Sequence, residues 1–270
     1  MILLRKPTAL LSVVFLAVVL LAMVAPQLLT DRDPLAVDLA VALQPPSLEH
    51  LFGTDQTGRD VFTRVIYAAR TSVGVGLIAT GTALVVGLIV GTLIGLAPRW
   101  LDAVLMRAVD LLLAVPEFVL ALIIVAVLGP GPVNIAFAVT LSVVPVYIRL
   151  ARVHTRSLRH AEHVTSARLL GIGSVRVLSR HVLPTVLARL SVLATIGVGT
   201  AILSAAGLSF LGLGVTEPTP EWGLILSGGR NELATAWWIA VFPGLAITAV
   251  VIATSVLGRT LRRLTEGGAE

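Results

Sequence analysis

Long apolar runs separated by short polar stretches are the dominant pattern along the chain. Six runs are each long enough, as a helix, to cross about 30 Å of hydrocarbon. They cover residues 8–29, 71–97, 103–128, 133–150, 186–213 and 238–257. The pattern therefore predicts an all-α membrane protein with six transmembrane helices.

Composition agrees with a membrane protein. Of 270 residues, 56% are hydrophobic and 13% are charged, whereas soluble domains carry about 25% charged residues. The net charge of +5 is compatible with nucleic-acid binding, but in a membrane protein basic residues mainly fix topology. We therefore predict contact with membrane lipid and no nucleic-acid partner.

The basic residues are distributed unequally between the two sides of the predicted membrane. Of 20 Lys and Arg residues, fifteen fall in alternate segments that include both termini, and five fall in the others. Because cytoplasmic loops carry the excess of basic residues, both termini and the loop 150–185 are predicted to be cytoplasmic. Segments 30–70 and 214–236 are then outside. If the first run were a cleaved signal peptide, five spans would remain, but that run is longer than a typical signal core.

Three segments follow from this topology. Residues 1–70 contain the first span and an extracytoplasmic stretch, residues 71–258 form a five-helix core, and residues 259–270 form a cytoplasmic tail. Within the core, a cytoplasmic loop occupies about 151–185.

The second run contains glycines at four-residue spacing. Gly87, Gly91 and Gly95 place a smooth strip on one helix face, where a neighbouring helix can approach closely. Plain close packing is the simpler interpretation, and a helix that slides during gating is the alternative. Pro243, inside the sixth run, is expected to bend its helix.

Motifs of catalytic and nucleotide-binding proteins are missing from the sequence. It contains neither G-x-x-x-x-G-K-[ST] nor H-E-x-x-H, and it has no cysteine. All five histidines fall outside the predicted spans. We therefore predict that the chain is not an enzyme and holds no metal or cofactor of its own.

Two acids lie in the third run. Asp110 and Glu117 are seven residues apart, so on one continuous helix they would share a face. Arg107 is expected to pair with Asp110, whereas Glu117 has no local partner. Because ionised groups in membranes usually face protein or water, both acids are candidate residues of a translocation path. A protonated Glu117 with a purely structural hydrogen bond is the alternative.

A basic stripe and two short helices follow the fourth run. The stripe comprises four arginines at helical spacing, Arg149, Arg152, Arg156 and Arg159, and is expected to face solvent and lipid headgroups. A first short helix then begins near Glu162 and ends at Gly171, where glycine tolerates the left-handed conformation of a C-cap. A second covers about 175–183, before Pro184 opens the fifth span. Together the two helices predict a protruding cytoplasmic elbow.

The elbow resembles the coupling loop of bacterial ABC-importer permeases. That pattern is Glu-Ala-Ala, three residues, Gly, nine residues, Ile-x-Leu-Pro. The matching positions are Thr165, Ser166, Ala167, Gly171, Leu183 and Pro184. The departures are Thr165 for Glu, Ser166 for Ala and His181 for Ile. Glu162, nearly on the same helix face as Thr165, is the candidate substitute carboxylate, and Ala167 is expected at the contact with the ATPase.

Two further stretches resemble the dipeptide, oligopeptide and nickel permease group, and the chain is most similar to the C-type subunit of dipeptide permeases. They are residues 53–62 (GTDQTGRDVF) and residues 208–223 (LSFLGLGVTEPTPEWG). Thr54 and Asp55 can cap a short amphipathic helix at 58–69. Candidate contacts with an extracytoplasmic protein are Asp55, Arg59, Asp60, Pro218 and Trp222. Packing of either loop on a partner permease is the alternative.

The resemblance implies a type I ABC-importer permease in the bacterial plasma membrane. Such a subunit pairs with a homologous permease to form the path for di- or oligopeptides. Two ATPase subunits, which bind ATP and Mg and hydrolyse the nucleotide, dock on the elbows, and a solute-binding protein delivers substrate from outside. Nickel or another small solute is the alternative cargo. An ion-coupled secondary transporter is the alternative class, and it would leave the elbow unexplained.

Overall fold

The computed structural model describes residues 7–266, and these form helices joined by turns and loops. The helices are α1 (Pro7–Val24), α2 (Val61–Leu96), α3 (Arg99–Leu113), α4 (Glu117–Leu128), α5 (Pro132–Arg159), α6 (Glu162–Leu169), α7 (Ser174–Val177), α8 (Leu183–Phe210), α9 (Trp222–Gly228) and α10 (Trp238–Glu266). Three short 3-10 turns lie at Pro26–Leu28, Leu39–Val41 and Gly229–Glu232. The predicted tail 259–270 is helical as far as Glu266, and residues 267–270 lie outside the described range.

Five helical segments are long and apolar enough to cross a membrane, and a sixth span exists if α3 and α4 are counted as one broken element. The prediction of an all-α membrane fold is therefore confirmed. The prediction of one continuous third helix is wrong, because α3 and α4 meet at 85°. Pro116 explains the break, since proline lacks an N–H and disfavours helical backbone in the residue before it.

Helices α2 and α5 pack tightly against each other through glycine. A Cβ atom at Gly87 would overlap Tyr147, one at Gly91 would overlap the α5 backbone, and one at Gly95 would come within 2.9 Å of Thr155 Cβ. The predicted close-packing strip is confirmed. Small residues matter here because lipid tails are as apolar as side chains, so close packing and not hydrophobic burial holds membrane helices together.

Helix α2 begins before the membrane-spanning run. Its N-cap is Asp60, whose carboxylate accepts a hydrogen bond from the Thr63 N–H at 2.8 Å. The helix then continues to Leu96 and crosses the boundary predicted at residue 70. The separate amphipathic helix predicted at 58–69, capped by Thr54 and Asp55, is therefore wrong: apolar residues follow its end without a breaker, so the two helices merge.

The second elbow helix also merges with the span that follows it. A five-residue π-helical segment, Leu178–Val182, joins α7 to α8, so one helical element runs from Ser174 to Phe210. The separate short helix predicted at 175–183 is therefore wrong. Pro184 carries no N–H to complete an α-helical bond to the preceding turn, and a π-type turn accommodates this without ending the helix.

Candidate functional sites

The elbow is a helix and a tight reversal between α5 and α7. Gly171 ends α6 with a φ of +79°, and the Ile172 N–H donates to the Ala167 carbonyl at 3.1 Å. This is a Schellman motif, which satisfies carbonyls that the helix end leaves unpaired. The predicted glycine C-cap is confirmed, and its positive φ explains why glycine occupies the position.

The elbow packs into an apolar cluster that it shares with α5 and α8. Val164, Ala167 and Val177 are buried, and Ile172 packs against them. Ala167 is only 6% exposed, so its methyl group faces this cluster. The contact of Ala167 with an ATPase subunit stays a prediction, and in this structure the side chain is covered by the elbow itself.

Three apolar side chains instead project from the elbow. Leu169, Leu170 and Val175 are 84%, 81% and 81% exposed, and we call them the apolar tip. The sequence carried a signal for them, since two adjacent leucines directly before a C-cap glycine cannot both face a small core. Glu162, Thr165 and Ser166 are also exposed along α6.

The last two residues of the resemblance lie at the base of the elbow. Leu183 is half-buried and Pro184 is exposed, and both belong to the first turn of α8. They are separated from the apolar tip by the π-helical segment. They are thus placed to fix the direction in which the elbow leaves the spanning helix.

The basic stripe of α5 docks onto α3. The buried carboxylate of Asp102 accepts hydrogen bonds from Arg152, with Nη2 at 2.6 Å, and lies 3.0 Å from Arg156 Nη2. Arg149 forms an ion pair with Asp110. The expectation of a purely solvated stripe is therefore wrong, as is the expected pairing of Arg107 with Asp110. Long-range ion pairs of this kind cannot be read from local spacing.

Asp110 and Glu117 do not share a helix face, contrary to the prediction, because they lie on opposite sides of the α3–α4 bend. Glu117 is the first residue of α4 and is exposed. It makes no hydrogen bond or ion pair with any other described residue. Asp110 is also exposed but has Arg149 as its partner. Of the two acids, Glu117 is the one whose carboxylate is available to a ligand.

A small polar cluster lies between α2, α5 and α8. The hydroxyl groups of Thr80 and Tyr147 are buried without a hydrogen-bond partner among the described residues. A Cβ atom at Gly197 of α8 would lie 2.5 Å from the Tyr147 hydroxyl. Glycine at this position is what lets the hydroxyl fit between the helices.

At the other end of the molecule, Asp55 organises the loop before α2. Its carboxylate accepts from the N–H groups of Thr57 at 2.8 Å and Arg59 at 3.0 Å, and from Arg59 Nε at 2.7 Å. Gly58 adopts a φ of +78°, and a Cβ atom there would overlap the Asp38 carbonyl. The motif around Asp55 therefore folds as a compact turn rather than as a helix cap.

Glu217 connects this turn to the loop after α8. It accepts hydrogen bonds from Arg59 Nη1 at 2.7 Å and from Arg64 Nη2 at 3.1 Å. Arg64 is 1% exposed, and Asp55 lies 3.7 Å from its Nη1. We call Asp55, Arg59, Arg64 and Glu217 the outer clasp. Burial lowers the pKa of Arg59, but its hydrogen bonds with Glu217 and Asp55 and their negative charges raise that pKa above its ordinary value. For Arg64 burial dominates and lowers the pKa of the guanidinium group.

Two tryptophans also hold the loops at this end of the molecule against the helices. Trp222 Nε1 donates to the Val65 carbonyl at 2.9 Å, and Trp238 Nε1 donates to the Thr54 carbonyl at 3.0 Å. Both side chains are buried. Trp222 thus ties the stretch 208–223 to α2, and Trp238 ties α10 to the stretch 53–62.

Comparison with known proteins identifies the family. Residues 83–267 match the family described as binding-protein-dependent transport system inner membrane component. The chain belongs to this family. The permease is accordingly a multi-pass protein of the bacterial inner membrane and a transport component, and the predictions of its family, helical fold and location are confirmed.

Named relatives cover most of the permease. It is 42% identical over 250 residues to the dipeptide transport system permease protein DppC of Alkalihalophilus pseudofirmus, covering 93% of this chain and 82% of the relative. It is 40% identical to the di/tripeptide permease DppC of Pseudomonas aeruginosa, covering 92% and 83%. It is 42% identical to the glutathione permease GsiD of Escherichia coli, covering 80% and 72%.

The predicted site residues of the permease differ in accessibility. Asp55, Asp60 and Trp222 are buried and engaged within the chain, Arg59 is largely so, and Pro218 is exposed. Their contact with an extracytoplasmic protein stays a prediction, as do the path and coupling roles. Among the described residues, no group of three or more His, Asp or Glu side chains is close enough to hold a metal ion.

Proposed function

We propose that the permease is one of two membrane-spanning subunits of an ATP-driven importer for di- or oligopeptides. A homologous permease completes the path, two ATPase subunits bind ATP and Mg and hydrolyse the nucleotide, and a solute-binding protein delivers peptide from outside. The cargo is inferred from relatives named for dipeptides, di- and tripeptides, and glutathione. Nickel transport and ion-coupled secondary transport are not favoured by these relatives or by the family.

The apolar tip is the observation that carries the coupling role. Burying one large aliphatic side chain stabilises an association by about 1.5–3 kcal/mol, and three such side chains project from one reversal. A groove on each ATPase subunit is the partner that the proposal requires. The exposed residues of α6, including Glu162 and Thr165, then lie along the rim of the contact.

Coupling follows from how the elbow is attached. Val164 and Ala167 of α6 and Val177 of α7 are buried in one apolar cluster with α5 and α8, and α7 continues through the π-helical segment into α8. When the ATPase subunits close on ATP, they move the elbow, and α8 carries that movement into the membrane. The path thereby alternates between inward and outward access.

Glu117 is the residue that we assign to the path. A peptide has an N-terminal ammonium group, and an unpaired carboxylate within the membrane is suited to bind it through a charge-assisted hydrogen bond. Asp110 is assigned a lesser role because Arg149 already neutralises it.

The outer clasp makes the extracytoplasmic loops a single surface on which the solute-binding protein can dock. Pro218 and Glu217 lie on its exposed side. This assignment, like the cytoplasmic position of both termini, rests on the positive-inside distribution of arginines.

The test replaces two residues of the apolar tip. Leu169→Ser combined with Leu170→Ser is expected to reduce copurification of the ATPase subunits and uptake of a labelled dipeptide by about tenfold or more, because two buried apolar contacts of about 1.5–3 kcal/mol each are lost. The matched control is Leu48→Ser, which removes a leucine that is 100% exposed in the outer loop. Wild-type copurification and uptake in the double variant would refute the coupling role.

A second arm addresses the cargo. In a strain deleted for this permease, restoring the gene is expected to restore uptake of the labelled dipeptide and to leave nickel uptake unchanged. Restored nickel uptake without dipeptide uptake would contradict the proposed substrate class while leaving the coupling role intact.

A further inference from the structure

A basic pocket lies beside the elbow, where α2 turns into α3 and α5 ends. Its volume is about 510 Å³. The lining residues are Ala97, Pro98, Arg99, Arg156, Arg159 and His160. Four of the six carry basic side chains and none is acidic, so the pocket is built for an anion.

The positive charge in the basic pocket is not neutralised within the described part of the chain. Asp102, on the first turn of α3, is already bound by Arg152 and Arg156. Arg99 and Arg159 are exposed and form no ion pair with another described residue. Two guanidinium groups are therefore free to bind a ligand, and planar guanidinium groups match phosphate oxygens in a bidentate manner.

The surroundings of the pocket place it at the depth of lipid headgroups. Leu93, in the last turn of α2, and Trp100 and Val104, on α3, are 61%, 69% and 62% exposed. Apolar side chains exposed at the end of a membrane span face lipid, and tryptophan concentrates at the boundary between hydrocarbon and water. Residues 97–99 of the pocket lie between Leu93 and Trp100 in the chain.

We propose that the basic pocket binds the phosphate headgroup of an anionic phospholipid from the cytoplasmic leaflet. Anionic lipids give that leaflet its negative surface potential, and basic pockets between membrane helices can bind lipid headgroups. Arg99 and Arg159 bind the phosphate from two sides, and Trp100 packs beside the acyl chains. The choice of the cytoplasmic leaflet rests on the proposed function, in which both termini are cytoplasmic. The binding of an anionic lipid does not depend on that orientation.

The test measures lipid binding to the purified permease complex in detergent. Native mass spectrometry with dioctanoyl phosphatidylglycerol is expected to show one saturable lipid that dioctanoyl phosphatidylcholine does not replace. Arg99→Gln with Arg159→Gln is expected to weaken this binding by roughly tenfold or more, because both unpaired positive charges that face the headgroup are removed. Arg99→Lys with Arg159→Lys keeps both charges but loses the bidentate geometry, and is expected to bind the lipid more tightly than the Gln variant and less tightly than the wild type.

The control is Arg259→Gln with Arg263→Gln, which removes the same charge from the exposed end of α10 and leaves the pocket intact. Equal loss of lipid in the control and the pocket variant would overturn the site, since general attraction would then explain the binding. Displacement of the lipid by millimolar inorganic phosphate would overturn the lipid as ligand. Lipid that binds only after the ATPase subunits are stripped from the complex would show that a protein covers the pocket, and would overturn the proposal as well. The orientation of the chain is measured separately, by labelling single introduced cysteines with an impermeant thiol reagent.

Discussion

Glu217 holds two arginines with one carboxylate, and one of these, Arg64, is almost fully buried. Glu217→Gln keeps the shape but removes the charge, leaving Arg64 with Asp55 at 3.7 Å as its remaining counter-charge. Because Glu217 is half-exposed and solvent screens its charge, we expect a loss of about 1–2 kcal/mol in stability. The outer loops should also become more sensitive to proteolysis.

Thermal unfolding and limited proteolysis of the purified complex measure this effect. Glu49→Gln is the control, since Glu49 is an exposed acid of the same outer segment. If both variants unfold and are cleaved like the wild type, Glu217 does not hold the loops together.

Glu117 is the second residue with an individual consequence. Glu117→Gln removes the charge proposed to bind the ammonium group of a peptide, so the apparent affinity of uptake is expected to fall roughly tenfold, in line with the loss of one charge-assisted hydrogen bond. Asp110→Asn, in the other half of the broken span, should change uptake much less. Unchanged uptake by normally assembled Glu117→Gln complex would remove Glu117 from the path.

At the scale of elements, α3 is held on α5 by ion pairs of unequal burial. Asp102→Asn breaks a largely buried pair with Arg152 and Arg156, and is expected to destabilise the protein by about 2–3 kcal/mol. Asp110→Asn breaks an exposed pair with Arg149 and should cost about 0–1 kcal/mol. The midpoints of thermal unfolding for the two variants compare these costs directly. Equal midpoints would mean that burial of Asp102 does not anchor α3.

The elbow offers a similarly matched pair of glycines. A Cβ atom at Gly171 or Gly173 would meet no neighbour within 4 Å, but only Gly171 has a positive φ. Gly171→Val is therefore expected to strain the end of α6 by about 1–2 kcal/mol and to lower both uptake and ATPase stimulation. Gly173→Val should have little effect. Identical activities would show that the left-handed turn does not position the apolar tip.

The sequence pattern predicted well those elements whose positions are determined by long apolar runs and by glycine or proline. The glycine strip of α2 and the turn at Gly171 follow from residue size and backbone freedom alone. Pro116 itself indicates the bend, but the continuous apolar run from 103 to 128 favoured a single straight helix. No sequence signal indicated the ion-pair partners of Asp102 and Glu217, because those arginines lie on elements distant in sequence.

At the scale of the whole molecule, orientation is the main open prediction. The chain has no cysteine, so single cysteines report without background. Ser174→Cys, at the exposed start of α7, is expected to react with an impermeant thiol reagent only after cells are opened. Leu48→Cys should react in intact cells. The opposite pattern would reverse the topology.

The candidate sites also divide at this scale. Sequence motifs located both candidate sites, the elbow and the outer loops, because such motifs are contiguous. They did not reveal which side chains face outward: Ala167 turned inward and the apolar tip outward. That distinction depends on how α6 rotates against α7, and it is decided only when the elbow packs.

The unbroken element from Ser174 to Phe210 has a mechanical consequence. Its 37 residues form a rod about 55 Å long, with the elbow at one end and a hydrogen bond from Ser227 to the Phe210 carbonyl at the other. If the rod pivots about its middle by about 5°, each end swings by roughly 2.4 Å in opposite directions. A push at the elbow would then reach the outer loops as a displacement of equal size, provided that the π-helical segment Leu178–Val182 near the driven end does not bend.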